Sequence, residues 1–275
     1  MLNAIGLQNP GFEVFAHRDL KFLAETLLPD ADPAGSGLED IAYADAGNAA
    51  EAGANAAAGN PANGGIGTKV VVNVCGHSEE EYIDCVEKLA QEPRADLLEI
   101  NISCPNVREG GIAFGTDPKG VERITAAIRK AARQPVIMKL SPNVTSIAEI
   151  ARAAEAGGAD AVSLINTLTG MKIDVERRTF ALANRTGGLS GPAIHPVAVR
   201  MVYECAHAVR IPVIGMGGIQ TAEDALEMIL AGACAVSVGT ASFHDQTAVL
   251  SVIDGIADYL QRHRVPDIRD LVGCL

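Results

Sequence analysis

Between Glu99 and Val107 the chain reads Glu-Ile-Asn-Ile-Ser-Cys-Pro-Asn-Val, an apolar run turning polar, with Cys104 set between Asn101 and Asn106. A thiol, with an ordinary pKa of about 8.5, can give up its proton near neutral pH where a serine hydroxyl cannot, so Cys104 is a candidate reactive group. The two asparagine amides offer neutral donors and acceptors suited to a planar polar ligand. A buried structural thiol is the other reading of the same residue, because free cysteine is among the residues most often buried.

Other polar residues interrupt apolar runs in the same way. Lys139 lies inside Val136-Ile137-Met138-Lys139-Leu140, where an unpaired ammonium would be costly; it needs an anion or a polarised carbonyl at a strand end, unless it snorkels to water. Asn73 and the pair Asn166-Thr167 also close apolar runs. Gly215-Met216-Gly217-Gly218-Ile219 and Gly239-Thr240 follow the last two such runs. Glycines at consecutive strand ends let backbone N–H groups approach a phosphate closely, although tight turns use the same residues. The G-x-G-x-x-G dinucleotide pattern is absent.

These residues need a sheet to line them up. From Val70 onward, short β-branched runs alternate with helical patterns, the signature of βα units and a parallel sheet. Strands are predicted at Val70–Val74, Leu97–Ile102, Val136–Leu140, Ala161–Ile165, Val213–Gly215 and Ala235–Val238, each nearly all apolar, as strands buried on both faces should be. Helix starts are marked by Ser78 with Glu81, a capping box, and by Thr221 with Asp224, a weaker version of one. Apolar stripes follow at Tyr82, Val86 and Leu89, at Val121, Ile124 and Ile128, and at Ile253, Ile256 and Leu260. Gly157, Gly158 and Gly232 mark helix ends.

The predicted architecture is an α/β, TIM-type (β/α) barrel with about six of its eight βα units, forming a single domain over 1–275. Within it, residues 30–68 are dominated by Ala, Gly and Asn and have little to bury, which predicts a disordered surface insertion, with alanine-driven helix as the alternative. The net charge of −12 argues against nucleic acid or an anionic membrane as the main partner. No run approaches the roughly 20 apolar residues of a membrane span and the first residues lack a basic start, so a cytoplasmic protein is expected. Six scattered cysteines, with no C-x-x-C and no histidine at ligand spacing, support neither zinc nor an iron–sulfur cluster.

Taken together, Asn101-Ile102-Ser103-Cys104-Pro105-Asn106, Gly110-Gly111, Phe114-Gly115-Thr116-Asp117-Pro118, Leu164-Ile165-Asn166-Thr167, Gly187-Gly188-Leu189-Ser190-Gly191-Pro192 and Gly215-Met216-Gly217-Gly218 resemble the class 1 dihydroorotate dehydrogenases, and within them the NAD-linked, B-type catalytic subunits. The resemblance covers Met1 to about Pro29 and Lys69 to about His263. It implies oxidation of (S)-dihydroorotate to orotate in the synthesis of UMP. Cys104 would take the C5 proton while hydride leaves C6 for flavin mononucleotide (FMN). It implies substrate contacts from Asn3, Ala4, Ile5, Gly6, Leu7, Asn101, Asn166 and Thr167. Flavin contacts would come from Asn73, Asn101, Lys139, Ile165 and Gly191, and phosphate contacts from Gly217, Gly218, Gly239 and Thr240. A homodimer is implied, joined to an electron-transfer subunit that carries FAD and an iron–sulfur cluster and passes electrons to NAD.

The pattern departs from the family at the start, where members carry two further strands and a lysine ahead of the segment beginning here at Met1. The expectation is a misplaced start and a fragment that binds flavin poorly alone. Two other functions fit the same residues less closely: a truncated, non-catalytic scaffold or assembly subunit, and an FMN-dependent dihydropyrimidine dehydrogenase, against which the Pro105-Asn106-Val107 and Gly110-Gly111 pattern argues.

Overall fold

Each apolar run that the sequence marks as a strand forms one. The computed structural model describes residues 1–3, 11–23, 68–103 and 115–275. Ala4, Ile5, Gly6, Leu7 and Cys104 lie outside the described residues, as does the segment 30–68 except for Thr68. The chain starts with a two-residue strand, β1 (Leu2–Asn3), and a helical stretch over 12–23. Then come β2 (Val71–Val74), β3 (Leu97–Asn101), β4 (Val136–Lys139) and β5 (Ala161–Leu164). An antiparallel excursion follows: β6 (Leu168–Met171), β7 (Ile173–Asp174), β8 (Thr179–Phe180) and β9 (Thr186–Leu189). β10 (Val213–Met216) and β11 (Ala235–Ser237) end the series.

Six of these strands form one all-parallel sheet in the order β11-β10-β5-β4-β3-β2. Parallel neighbours need a crossover, and each strand is followed by a helix: α1 (Glu79–Leu89), α2 (Pro118–Ala131), α3 (Ile147–Ala156), α4 (His195–Ala206), α5 (Ala222–Leu230) and α6 (Ala248–His263). These are six βα units of a TIM-type barrel, whose closed form takes eight. The predicted stripes of α1 and α2 are buried against the sheet. Ser78 Oγ accepts from the Glu81 N–H (3.3 Å), but the Glu81 carboxylate accepts from His77 rather than Ser78, so only half of that box forms. The shorter Asp224 closes the full box with Thr221.

Burial on both faces holds for the central strands β4 and β5 but not at the edges. In β2, Val72 and Val74 are buried while Val71 and Asn73 are exposed, and β11 has no buried residue. Among the described residues nothing pairs with the outer side of either strand, so one face of each stays open. The α6 stripe is corrected for the same reason: Val252 is buried and Ile256 and Leu260 are partly covered, whereas Ile253 is 56% exposed, beside exposed Val249 and Leu250.

The excursion between β5 and α4 had no counterpart among the predicted strands, because its short strands bury almost nothing and show no apolar alternation. β6 and β9 pair antiparallel, and β1 adds to the far side of β9, giving the order β1-β9-β6. The N-terminal strand is thereby brought to the C-terminal end of β5.

Candidate active site

Register decides which strand residues meet. Asn73 pairs with Glu99, Asn101 with Lys139, and Lys139 with Ser163. Opposed residues point to the same side, and so do residues two apart on one strand; all five therefore share the face turned away from Leu98, Ile100 and Met138. Glu99 is the hub. Its Oε2 accepts from Asn73 Nδ2 (2.6 Å) and from Lys139 Nζ (3.3 Å), and its Oε1 accepts from Ser163 Oγ (2.7 Å). Lys139 thus has the anionic partner that its apolar setting demands, in a pair whose side chains are only 20% and 14% exposed. Glu99 itself was missed by the sequence reading. Its signal was a carboxylate two residues before Asn101, on the same face of a strand next to one bearing a lysine.

The end of β3 is held from behind by the buried Tyr82, whose hydroxyl donates to the Asn101 carbonyl (2.6 Å). Asn101 Oδ1 accepts from Asn166 Nδ2 (3.0 Å) and from the Ser103 N–H (3.3 Å), while Asn166 Oδ1 accepts from the Thr167 N–H (2.8 Å). Two predicted substrate contacts, one closing β3 and one just after β5, are therefore bonded to each other. Asn3 arrives through the second sheet. It pairs with Gly188, whose missing side chain lets Thr167 approach; a Cβ there would stand 2.4 Å from Thr167 Oγ1. Asn143, absent from the sequence reading, donates to the Thr167 carbonyl (3.0 Å) and accepts from the Thr169 N–H (2.9 Å). A small cleft of about 90 Å³ opens here, lined by Ser103, Gly115, Thr116, Ser141, Asn143 and Thr169. Ser103 and Gly115 are the described residues on either side of 104–114, the segment containing Cys104.

Glycines form the other half of the site. Gly191, Gly217 and Gly218 have φ of 91°, 134° and 75°, in the region that side-chain-bearing residues avoid. A Cβ on Gly218 would lie 2.8 Å from the Gly191 carbonyl oxygen, one on Gly217 3.3 Å from Ile165, and one on Gly191 3.7 Å from Thr240. Ile165, Gly191, Gly217, Gly218 and Thr240 are thus neighbours, and Gly239 faces open space. The N–H groups of Gly217, Gly218, Gly239 and Thr240 have no hydrogen-bond partner among the described residues. The buried Ser190 hydroxyl, beside Gly191, also has none. Unpaired donors in a cradle that a Cβ would fill suit an anionic group such as phosphate.

The family profile described as dihydroorotate dehydrogenase matches residues 1–260. The chain belongs to the dihydroorotate dehydrogenase family. Among curated relatives, the dihydroorotate dehydrogenase B (NAD(+)) catalytic subunit of Lachnoclostridium phytofermentans is 54% identical over the whole chain and 78% of its own length. The subunits of the same name from Alkaliphilus oremlandii and Parabacteroides distasonis are 47% and 44% identical over the whole chain, covering 78% and 77% of theirs. A dihydroorotate dehydrogenase is an oxidoreductase. No helix among the described residues is long and apolar enough to cross a membrane.

Proposed function

We propose that this chain oxidises (S)-dihydroorotate to orotate in pyrimidine biosynthesis, as the FMN-bearing catalytic subunit of a cytoplasmic NAD-linked complex. The observation that carries the reading is the meeting, at one end of the sheet, of the Asn101–Asn166 pair, the Lys139–Glu99 pair and the unpaired N–H groups of the glycine cradle. These residues fit FMN. Gly191, Gly217, Gly218, Gly239 and Thr240 would hold its phosphate, and Asn73, Asn101, Lys139 and Ile165 its ring system. Bound FMN supplies the two-electron acceptor for the hydride leaving C6 of dihydroorotate.

The chain's own residues do the rest. The Cys104 thiolate takes the C5 proton, and the electron pair of the broken C5–H bond becomes the second C5–C6 bond as C6 gives up its hydride. Asn101, Asn166, Thr167 and Asn3, with Ala4, Ile5, Gly6 and Leu7, hold the substrate by neutral hydrogen bonds and backbone contact. The Lys139 ammonium offsets negative charge arriving at the ring system. A homodimer with a second subunit carrying FAD and an iron–sulfur cluster would pass electrons on to NAD; the relatives' designation as NAD(+) catalytic subunits supports a partner subunit and NAD as acceptor.

The test is anaerobic reduction of the FMN-reconstituted chain by dihydroorotate, followed by loss of the oxidised flavin's absorbance. Wild type should bleach. Cys104→Ala should still bind orotate but bleach about 10²–10⁴ times more slowly at pH 7, the usual worth of a positioned base. A flavin-loaded wild-type chain that dihydroorotate does not reduce would overturn the assignment.

A further inference from the structure

His195 opens α4 four residues after Gly191, and its side chain is only 8% exposed. Its Nδ1 lies 2.8 Å from the Gly217 carbonyl oxygen and its Nε2 lies 3.1 Å from Glu227 Oε2, with Asp224 Oδ1 at 3.9 Å. The Gly217 carbonyl can only accept, so Nδ1 carries the proton of that bond. The titratable groups facing it are Asp224 and Glu227, both on α5. Burial works against the Asp224 carboxylate, but the N–H groups of Gln220 and Thr221, the Thr221 hydroxyl and His195 outweigh it and lower its pKa, so it stands as an anion beside the ring.

The bond to Gly217 has a geometric consequence. A trans peptide is planar, with its C=O and N–H pointing in opposite directions. Anchoring the Gly217 carbonyl to His195 turns the Gly218 N–H of that peptide the other way, and that N–H has no partner among the described residues. Between two glycines a peptide rotates at little steric cost, and a rotated one would offer a carbonyl in place of a donor.

We propose that His195 is the positioning residue of the cradle: with its ring braced against Glu227, it locks the Gly217–Gly218 peptide with its N–H toward a phosphate. The inference rests on the FMN reading of the cradle. It implies that discrimination between FMN and riboflavin, which differ by the phosphate, depends on the hydrogen bond that one histidine makes.

The experiment titrates the full chain with FMN and, separately, with riboflavin by fluorescence at pH 7. Wild type should prefer FMN. His195→Ala, which frees the Gly217 carbonyl, should cut the preference about tenfold while riboflavin affinity stays within twofold, and His195→Asn, whose amide can still donate to that carbonyl, should restore much of it. Nitrogen-15 spectra of wild-type histidine, which need no variant to fold, should show a proton on His195 Nδ1. A preference that survives His195→Ala overturns the proposal, as does a bare Nδ1. Wild type that takes up FMN and riboflavin equally, or neither, overturns the phosphate cradle itself, and this inference with it.

Discussion

Glu99 touches three strands through one carboxylate, and a flavin bound as proposed should register its charge. Glu99→Gln keeps an acceptor for Ser163 or Asn73 but leaves the Lys139 ammonium without a counter-charge. Reduced flavin carries more negative charge than oxidised flavin, so an un-neutralised lysine favours the reduced form. The midpoint potential should rise by about 30 mV for each tenfold gain in that preference. Spectroelectrochemistry of the FMN-loaded variant checks it, and a potential that falls or stays put would remove Glu99 from the ring's environment. A second residue governs the alkaline limit. Cys205 is fully buried near the Ile147 carbonyl, and burial pushes its thiol up to about 12 from 9.0. The unfolded chain releases this proton first, so stability is intact below about pH 9 and declines toward pH 12 by up to about 4 kcal/mol. Denaturant melts of wild type should show that decline, and Cys205→Ala, less stable at neutral pH, should lose less of its stability over the same range.

At the scale of elements, the β1-β9-β6 sheet sets Asn3 near Thr167, and β9 runs on into Ser190 and Gly191 of the cradle, where the Ser190 N–H donates to the Met1 carbonyl (2.8 Å). Gly188→Ala sets a methyl carbon 2.4 Å from Thr167 Oγ1, and backbone must shift to relieve it. Orotate affinity should drop tenfold or more, an estimate of about 1.4 kcal/mol, while FMN affinity stays within twofold; equal losses of both would mean that the sheet supports the whole site. The helices show why capping pairs must be seen to be ranked. The aspartate at Asp224 is short enough to reach back to the Thr221 N–H, whereas the longer Glu81 overshoots to His77. Thr221→Ala should cost about 1 kcal/mol in a thermal melt. Such periodic and capping signals made the six strands and their helices legible. The excursion β6–β9 was not, because strands held by backbone pairing alone leave no apolar pattern.

For the molecule as a whole, the two sheet edges and one face of α6 leave large apolar side chains in solvent. Val71 is 48% exposed at one edge; near the other, Phe243, Leu250 and Ile253 are 78%, 62% and 56% exposed. Open edges and grouped apolar side chains promote self-association. Light scattering should show the purified chain associating with concentration, and the double change Leu250→Lys with Ile253→Lys should reduce this while moving the melting free energy by no more than about 0.5 kcal/mol each, as surface substitutions do. A chain that stays monomeric at high concentration would count against the patch being adhesive.

The sequence by itself determined the parallel βα framework, because alternating apolar runs and helix caps are local signals, and it marked most of the polar residues at the strand ends. It also supplied the family, through motifs whose order along the chain needs no coordinates. Only the tertiary structure decided which of those residues meet. Strand register brought Glu99 under Asn73, Lys139 and Ser163, a second sheet carried Asn3 to Thr167, and a helix start placed His195 against the Gly217 carbonyl. These contacts join residues from 22 positions apart, His195 to Gly217, to 185 apart, Asn3 to Gly188, and local pattern carries no information at that range.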